Sequence, residues 1–461
     1  MTRNTGTGHL DLGLATPKVA VSAKQEVSPG SLDEDPAWSS KSYVWYVLFI
    51  LTITNSMNYI DRVALSILLP DIKKDLDLAD WQLGLLVGLA FALFYAVCVV
   101  PIARWADRGN RKNIITLGLL VWSGMTALCG AAHSFLHLFL ARIGVGAGEA
   151  SCVPTAQSLI CDYVPLERRP GFFAIHNFGA MFGSMVGMIL AGWLGETLGW
   201  RLTFLLLGIP GVAIAAVLWT TLKEPPRGRF ENGPGPTTGA PFLAVFRQLW
   251  GSKIYRYLLI FMAIGSFVQS GVGQWLPSFY TRVFGLSLSY IGVFLGTATG
   301  ISAGMGVLVG GWIANRLSER DVRAPLTFNA LASCVGVPAS IGSLFISSPV
   351  GSILLFSLAS FVWAMSNGPV IASLYSVTDP RMRATAGAIS IFFTSVVGFG
   401  LGPFFVGLLS DVLYPEFGIG ALRYAMVAVL LLSPLMILYL YAAARSMPHA
   451  SSASTLSTRS V

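Results

Sequence analysis

The sequence is poor in charged side chains. Only 11% of its 461 residues are Asp, Glu, Lys or Arg, whereas an ordinary soluble domain has about 25%. Apolar residues make up 54% of the chain, and its mean hydropathy is +0.67. These values exclude an ordinary soluble protein and indicate one that crosses a membrane many times.

Patterns that would indicate catalysis, a cofactor or a metal are also missing. The sequence has no cluster of metal ligands, no nucleophile with a placed histidine and no ATP-binding loop, so we expect neither an enzyme nor a bound cofactor or metal. The glycines in GVGAGEA (144–150) follow no strand and lack the spacing of a phosphate-binding loop, and they are expected to allow close helix packing. The five cysteines have no paired spacing and are expected to be reduced.

The net charge of +8 comes from basic residues that are dispersed through short loops, and this distribution gives no reason to expect nucleic-acid binding. With both termini in the cytoplasm, 23 of the 30 Lys and Arg residues fall in cytoplasmic tails and loops, 5 in outer loops and 2 in the membrane. This is the asymmetry of the positive-inside rule. We therefore predict a multi-pass protein of the cell (inner) membrane, embedded in the bilayer as a monomer, with both termini cytoplasmic.

Apolar runs with short polar breaks predict twelve transmembrane helices. The predicted spans are 43–69, 80–103, 113–133, 136–160, 171–195, 202–222, 254–281, 288–314, 325–346, 351–376, 384–412 and 421–444. Asn367 and Pro277 are predicted to mark helix breaks that line a cavity.

The same pattern divides the chain into five parts. Residues 1–42 lack the features of a signal peptide and are predicted to be a disordered cytoplasmic tail. A linker rich in Pro and Gly, 223–252, separates two six-helix bundles, 43–222 and 253–446, and 447–461 form a second tail. The expected fold class is an all-α membrane protein of twelve helices in two bundles.

The two halves repeat each other at an offset of 208 residues. The triplets QLG (82–84) and ADR (106–108) in the first half are matched by YIG (290–292) and ANR (314–316) in the second. Parallel repeats of this kind suggest alternating access around a site near the middle of the membrane.

Four charges are expected inside the membrane. Asp61 and Arg62 lie in the first predicted helix, while Arg142 and Glu149 lie on one face of the fourth, about 10 Å apart along its axis. Counting from the helix ends puts Arg62 between the other two in depth. A static ion network is one interpretation; in the other, protonation of an acid frees Arg62 or Arg142 to bind an anion.

The loop ARWADRGNRK (103–112) resembles the signature loop of the major facilitator superfamily, with Ala103 and Asn110 in place of two usual glycines. Within that superfamily, NYIDR (58–62) and GVGAGEA (144–150) resemble the Spinster family of lipid exporters. The resemblance covers about residues 43–446. It implies the major facilitator fold and an amphipathic substrate such as a lysophospholipid or sphingosine phosphate.

We therefore expect a proton-coupled secondary transporter in which Arg62 binds the anionic group of the substrate, together with Asn58, Tyr59 and Arg142. Glu149 is the expected proton site, and Asp61 is expected to tune both. The alternatives are a proton antiporter of drugs or hydrophobic organic anions, and a membrane enzyme or receptor that merely binds lipid.

The signature loop is expected to form a cytoplasmic gate. Asp107 is predicted to face the start of the eleventh helix, where a carboxylate suits the helix dipole and two nearby cations. A plain solvated turn is the alternative. The predicted gate residues are Asp107, Arg108, Arg111, Arg381 and Arg383.

Overall fold

The computed structural model describes residues 1–2, 40–230, 242–379 and 382–447, and within these ranges every regular element is a helix. Nine helical stretches there are long and apolar enough to cross a membrane. Two of them, Leu166–Thr221 and Thr385–Ser446, are long enough for two crossings each and turn at glycines with positive φ, Gly199 and Gly418. Lys41–Leu76 is a further crossing of 36 residues. The described chain thus has the twelve helices that the sequence predicts.

The spanning helices alternate in direction along the chain and are numbered α1 to α12. Their bounds are Lys41–Leu76, Asp80–Arg108, Arg111–Gly130, Phe135–Tyr163, 169–198, 200–221, Lys253–Phe284, Leu288–Ser318, Ala324–Phe345, Pro349–Ser376, 383–417 and 421–446. We call the end of the molecule that carries residues 103–112 the signature-loop end. The opposite end, with residues 77–79, is the far end.

Short polar side chains set many of the helix starts. Each accepts a hydrogen bond from a backbone N–H of the first turn, which would otherwise lack a partner. The starts they cap lie within two residues of the predicted ones. These capping residues are Ser40, Asn110, Ser134, Ser252, Ser287 and Ser348.

The first helix is longer than the predicted span 43–69, since α1 continues through Pro70 to Leu76. The expectation of a break at a proline was wrong. Pro277 was predicted to break a helix, but it lies buried inside the continuous α7. A proline removes one backbone hydrogen bond, and packing against neighbouring helices compensates for that loss. The break predicted at Asn367 is present, because α10 is interrupted at Ser366.

The interval predicted as a linker contains a further helix, Phe242–Gly251. Its side chains Val245 and Leu249 are buried in the apolar core of the second bundle. The part of the chain that joins the bundles is therefore partly anchored to one of them.

The two six-helix bundles approach most closely at the far end. A Cβ atom added to Gly192 of α5 would lie only 2.4 Å from the carbonyl oxygen of Leu288 on α8. More than four turns further along α8, a Cβ atom on Gly304 would meet only the end of the Met181 side chain, at 3.6 Å. The helices therefore diverge towards the signature-loop end, and the space between the bundles widens in that direction.

Candidate functional site

Arg62 on α1 and Glu149 on α4 form an ion pair inside the first bundle. The Arg62 Nε atom lies 2.8 Å from Glu149 Oε2, and the side chains are 19% and 0% exposed. Burying either charge alone would cost several kcal/mol, so each stabilises the charged form of the other. The structure thus brings together two residues that the sequence predicts to share a site.

Three aromatic rings surround the Arg62 guanidinium. Its central carbon lies 5.0 Å from the ring centre of Tyr59, 4.6 Å from that of Phe91 and 5.0 Å from that of Tyr95. Cation–π contacts of this kind stabilise a cation where little water reaches it. The rings and Glu149 together fix the position of Arg62. Sequence reasoning missed Phe91 and Tyr95, which come from α2 and carry no signal of their own.

The other two charges, Asp61 and Arg142, are also buried in the first bundle. Asp61 is buried, and its Oδ2 atom accepts a hydrogen bond of 3.1 Å from the Thr126 hydroxyl on α3. Arg142 is also buried, with its guanidinium carbon 5.3 Å from the centre of the Phe91 ring. Among the described residues Arg142 has no acidic group within 4 Å. Asp61 therefore does not pair directly with Arg62, and Arg142 is a second positive charge in the cluster.

Asn58 lies one turn before Asp61 and Arg62 on α1 and is fully buried. Among the described residues, neither its amide nitrogen nor its amide oxygen has a hydrogen-bond partner of standard geometry, and the amide lies beside the Glu149 carboxylate. Buried polar atoms in folded proteins nearly always have a partner, from the protein or from water. Asn58 thus supplies spare hydrogen-bonding capacity beside the ion pair.

A cavity of about 480 Å³ lies between the bundles next to this cluster. Tyr59 lines it from the first bundle. The opposite wall belongs to the second bundle and includes the amide side chains of Gln269 and Asn367. The rest of that wall is mostly apolar, with Phe261, Met262, Trp363, Phe399 and Met436. The ring of Tyr59 thus connects the cavity to Arg62.

The cavity continues towards the diverging helices α5 and α8. A second space of about 280 Å³ shares Gln269 with it, and a third of about 570 Å³ shares Met181 and Met185 with the second. The third space lies between α5 and α8 and has an almost wholly apolar lining, including Phe178 and Leu308. A ligand with one charged end and a long apolar part fits this arrangement.

The predicted gate residues are separated in this conformation. Asp107 and Arg108 are exposed, and no ion pair involving Asp107 occurs in the described part of the chain. Arg383 donates from Nε to the carbonyl oxygen of Tyr375 at 3.1 Å, within its own bundle. Arg381 lies outside the described residues. The predicted contact between Asp107 and Arg383 is therefore not formed when the signature-loop end is open.

Arg111 lies inside the first bundle instead of facing the second. It is 1% exposed and pairs with Asp162 of α4 and with Glu224, whose Oε1 atom is 2.6 Å from Arg111 Nε. Glu224 also accepts a hydrogen bond from the backbone N–H of Lys112. These bonds tie the end of α6 and the segment after it to the signature loop.

Charged groups join the bundles at the far end, a contact that sequence reasoning missed. Asp80 at the start of α2 is buried, and both of its carboxylate oxygens lie 2.7 Å from Arg282 of α7. Ser410 of α11 donates to the same carboxylate at 2.7 Å. Asp411 accepts from the backbone N–H groups of Asp80 and Trp81, at a helix N-terminus that favours negative charge. We call Asp80, Arg282, Ser410 and Asp411 the far-end latch.

Comparison with known proteins identifies the family. The model of the Major Facilitator Superfamily matches residues 51–403. The chain is 32% identical over 390 residues to an MFS-type efflux pump of Mycolicibacterium smegmatis. The match covers 83% of this chain and 88% of that protein. It is 28% identical over 393 residues to protein spinster homolog 1 of Homo sapiens, covering 79% of this chain and 72% of the relative.

Comparison with solved structures points to the same family. A crystal structure of a bacterial homologue of the human lysosomal transporter Spinster, inward-facing and unoccupied, matches with a TM-score of 0.80 at 30% identity. The match covers 88% of this chain and 98% of that one. The resemblance expected from residues 58–62, 103–112 and 144–150 is thus confirmed. The chain belongs to the Major Facilitator Superfamily and is a Spinster-like transporter within it.

Proposed function

We propose that the protein is a proton-coupled secondary transporter that moves an anionic, amphipathic lipid of the lysophospholipid or sphingosine-phosphate type by alternating access. The observation that carries this proposal is the Arg62–Glu149 pair beside the central cavity. A partly exposed guanidinium suits a phosphate, because its planar fork can donate two parallel hydrogen bonds to it. Asn58 and Tyr59 complete the binding position for the headgroup, and Arg142 adds positive potential behind it.

Proton coupling follows from competition for Arg62. While Glu149 is ionised it holds the guanidinium, and an arriving phosphate has to displace it. Once displaced, the carboxylate has lost its partner in a buried position and takes up a proton more readily. Asp61, which is bonded to Thr126, adds negative charge nearby and favours that protonation. Proton and lipid then bind together at this site.

The apolar spaces between α5 and α8 support a lipid rather than a small polar anion. They lead from the cavity wall to the widening gap between the bundles, and Phe178 and Leu308 on either side are 61% and 75% exposed. An acyl chain can occupy this path while its phosphate reaches Arg62. The hydrophobic contribution is about 0.8 kcal/mol for each buried methylene.

Alternating access would use the two ends of the molecule. The distribution of Lys and Arg supports a cytoplasmic location for the signature-loop end and both termini. In the proposed monomer of the inner membrane, the present conformation would then be open to the cytoplasm. The bundles 43–222 and 253–446 are the moving units, joined by the linker 223–252. In the outward-facing state the far-end latch would open. The signature loop, with Asp107 and Arg108, would then contact the second bundle, and the Asp107 carboxylate would pair with Arg381 and Arg383.

Proton-coupled efflux of drugs or hydrophobic organic anions is the second candidate. The M. smegmatis relative is described as an MFS-type efflux pump, and the apolar path between α5 and α8 suits many hydrophobic compounds. The two candidates differ in the group that Arg62 would bind. Cationic drugs gain nothing from an arginine at the cavity wall, whereas a phosphate does.

Transport in proteoliposomes tests the proposal. Vesicles containing the purified protein and unlabelled lysophospholipid should accumulate labelled lysophospholipid by counterflow, and an imposed pH gradient should change the rate. Arg62→Ala should abolish both effects. Counterflow of a cationic drug that survives Arg62→Ala, without any counterflow of lysophospholipid, would favour the efflux pump. A lack of exchange of any substrate would favour a receptor.

A further inference from the structure

The wall of the cavity that faces Arg62 carries neutral amides. Gln269 lies halfway along α7, and Asn367 lies at the interruption of α10. Both line the same cavity, and both side chains are exposed to it. Neither side chain makes a hydrogen bond to another described residue, in contrast to Asn329 in the same bundle, which bonds to Pro325 and Ser366.

Both amides lie in membrane-spanning stretches of the chain and, in its described part, line the cavity without a protein partner. A polar side chain in the hydrocarbon region costs free energy unless it has a partner, and such residues are commonly part of a substrate path. Each carboxamide offers donors and an acceptor in fixed positions. A hydroxyl group also both donates and accepts, so it can form hydrogen bonds with either end of a carboxamide. The amides are therefore placed to bind an uncharged polar part of a ligand whose anion is held by Arg62.

Negative charge is lacking at the same wall. The residues that line the three connected spaces include no Asp or Glu in the described chain. The two acids of the charged cluster are not available to a ligand in the cavity. Glu149 is 0% exposed and paired with Arg62, and Asp61 is 4% exposed. An ammonium group entering the cavity would lose water without gaining a counter-ion, which is unfavourable.

We propose that Gln269 and Asn367 form a neutral headgroup subsite that selects phosphate lipids carrying hydroxyl groups, such as a phosphoglycerol, over lipids carrying an ammonium. The inference rests on the proposed function and narrows it. Of the two lipid classes named there, it favours glycerol-based lysophospholipids over sphingoid phosphates, whose base carries an ammonium beside the phosphate. Aromatic rings in the wall could attract a trimethylammonium group by cation–π contact, so a choline lipid belongs in the test.

The test compares headgroups on one acyl chain. Binding of lysophosphatidylglycerol, lysophosphatidylethanolamine and lysophosphatidylcholine to the full-length protein in detergent is measured by competition at neutral pH. Two neutral hydrogen bonds correspond to about tenfold in affinity. Lysophosphatidylglycerol should therefore bind about tenfold tighter than either ammonium lipid.

Gln269→Glu places a carboxylate at the subsite and should reverse the preference, with tighter binding of the ethanolamine lipid and weaker binding of the glycerol lipid. Gln269→Leu should remove the preference without favouring the ammonium. Gln248→Glu, the same change at an exposed position of the linker helix, is the matched control and should leave the preference unchanged. If Gln269→Glu does not yield folded protein by gel filtration, Asn367→Asp makes the same comparison.

Equal binding of the three headgroups by the parent protein would overturn the subsite while leaving lipid transport intact. So would an unchanged preference in Gln269→Glu, or tighter binding of the choline lipid. If no phosphate lipid binds but a hydrophobic organic anion without phosphate does, the proposed function itself is wrong and the subsite falls with it.

Discussion

The far-end latch should control the balance between the two faces of the transporter. Asp80→Asn keeps the size of the side chain but removes the charge that receives both nitrogens of Arg282 and the Ser410 hydroxyl. These bonds exist only while the bundles touch at the far end. Their loss should therefore destabilise the conformation described above relative to one that is open at the far end.

The size of the effect can be worked out from the contacts. A hydrogen bond to a charged group contributes about 1.5–3 kcal/mol, and the asparagine oxygen still accepts one of the three bonds that come from the second bundle. Losing the other two at the lower value costs about 3 kcal/mol, which is a change of about 150-fold in the ratio of the two conformations. Asp75→Asn is the matched control, because Asp75 pairs with Arg201 at the same end but within one bundle and is 42% exposed. An exposed pair of this kind contributes at most about 1 kcal/mol.

Spin labels across the far end report the distance between the bundles. In a cysteine-free background, Lys74→Cys and Glu416→Cys place labels at exposed positions of the first and second bundle. Asp80→Asn should raise the fraction of long distances, while Asp75→Asn should leave the distribution as in the parent. If Asp80→Asn and Asp75→Asn give the same distribution, the latch does not hold the bundles together.

Two further predictions concern the central and signature-loop charges. Arg62→Lys should recover little of the transport lost in Arg62→Ala, because an ammonium cannot reproduce the guanidinium fork held by Glu149 and the aromatic rings. Normal flux of labelled lipid in the Lys variant would show that charge alone suffices. Asp107→Ala should weaken cytoplasmic closure by about 0.3–1 kcal/mol, the usual value for a charge at a helix end, and so enrich inward-open molecules. An unchanged distance between spin labels at the cytoplasmic ends of the two bundles would limit Asp107 to a role in topology.

Sequence alone located the charged site but not its pairing. The depth of Arg62 between Arg142 and Glu149 follows from helix geometry, and the structure places Arg62 directly on Glu149. Neighbouring residues on a helix are about 100° apart, so Asp61 and Arg62 necessarily point in different directions from α1. Which residues of the other helices each side chain meets depends on packing. Phe91, at the centre of the site, looks like any other apolar residue of its helix.

Contacts between the bundles were the least predictable part of the structure. Asp80 and Arg282 are 202 residues apart, and each stands at a helix end where a charged residue is common. The sequence predicts the helices and their caps because those depend on local hydrogen bonds and hydropathy. It does not predict which conformation closes which end, because that depends on a free-energy difference between two packings of the same helices.

Substrate affinity as a function of pH, measured for the parent and for Glu149→Gln, tests the central claim most directly. If a proton and the lipid bind together, lysophospholipid affinity in the parent should fall between about pH 5.5 and about pH 8, since each ligand must strengthen the other equally. Glu149→Gln mimics the protonated acid, so it should bind the lipid with little dependence on pH and fail to respond to a proton gradient. If the parent and Glu149→Gln show the same pH dependence, Glu149 does not couple proton and substrate.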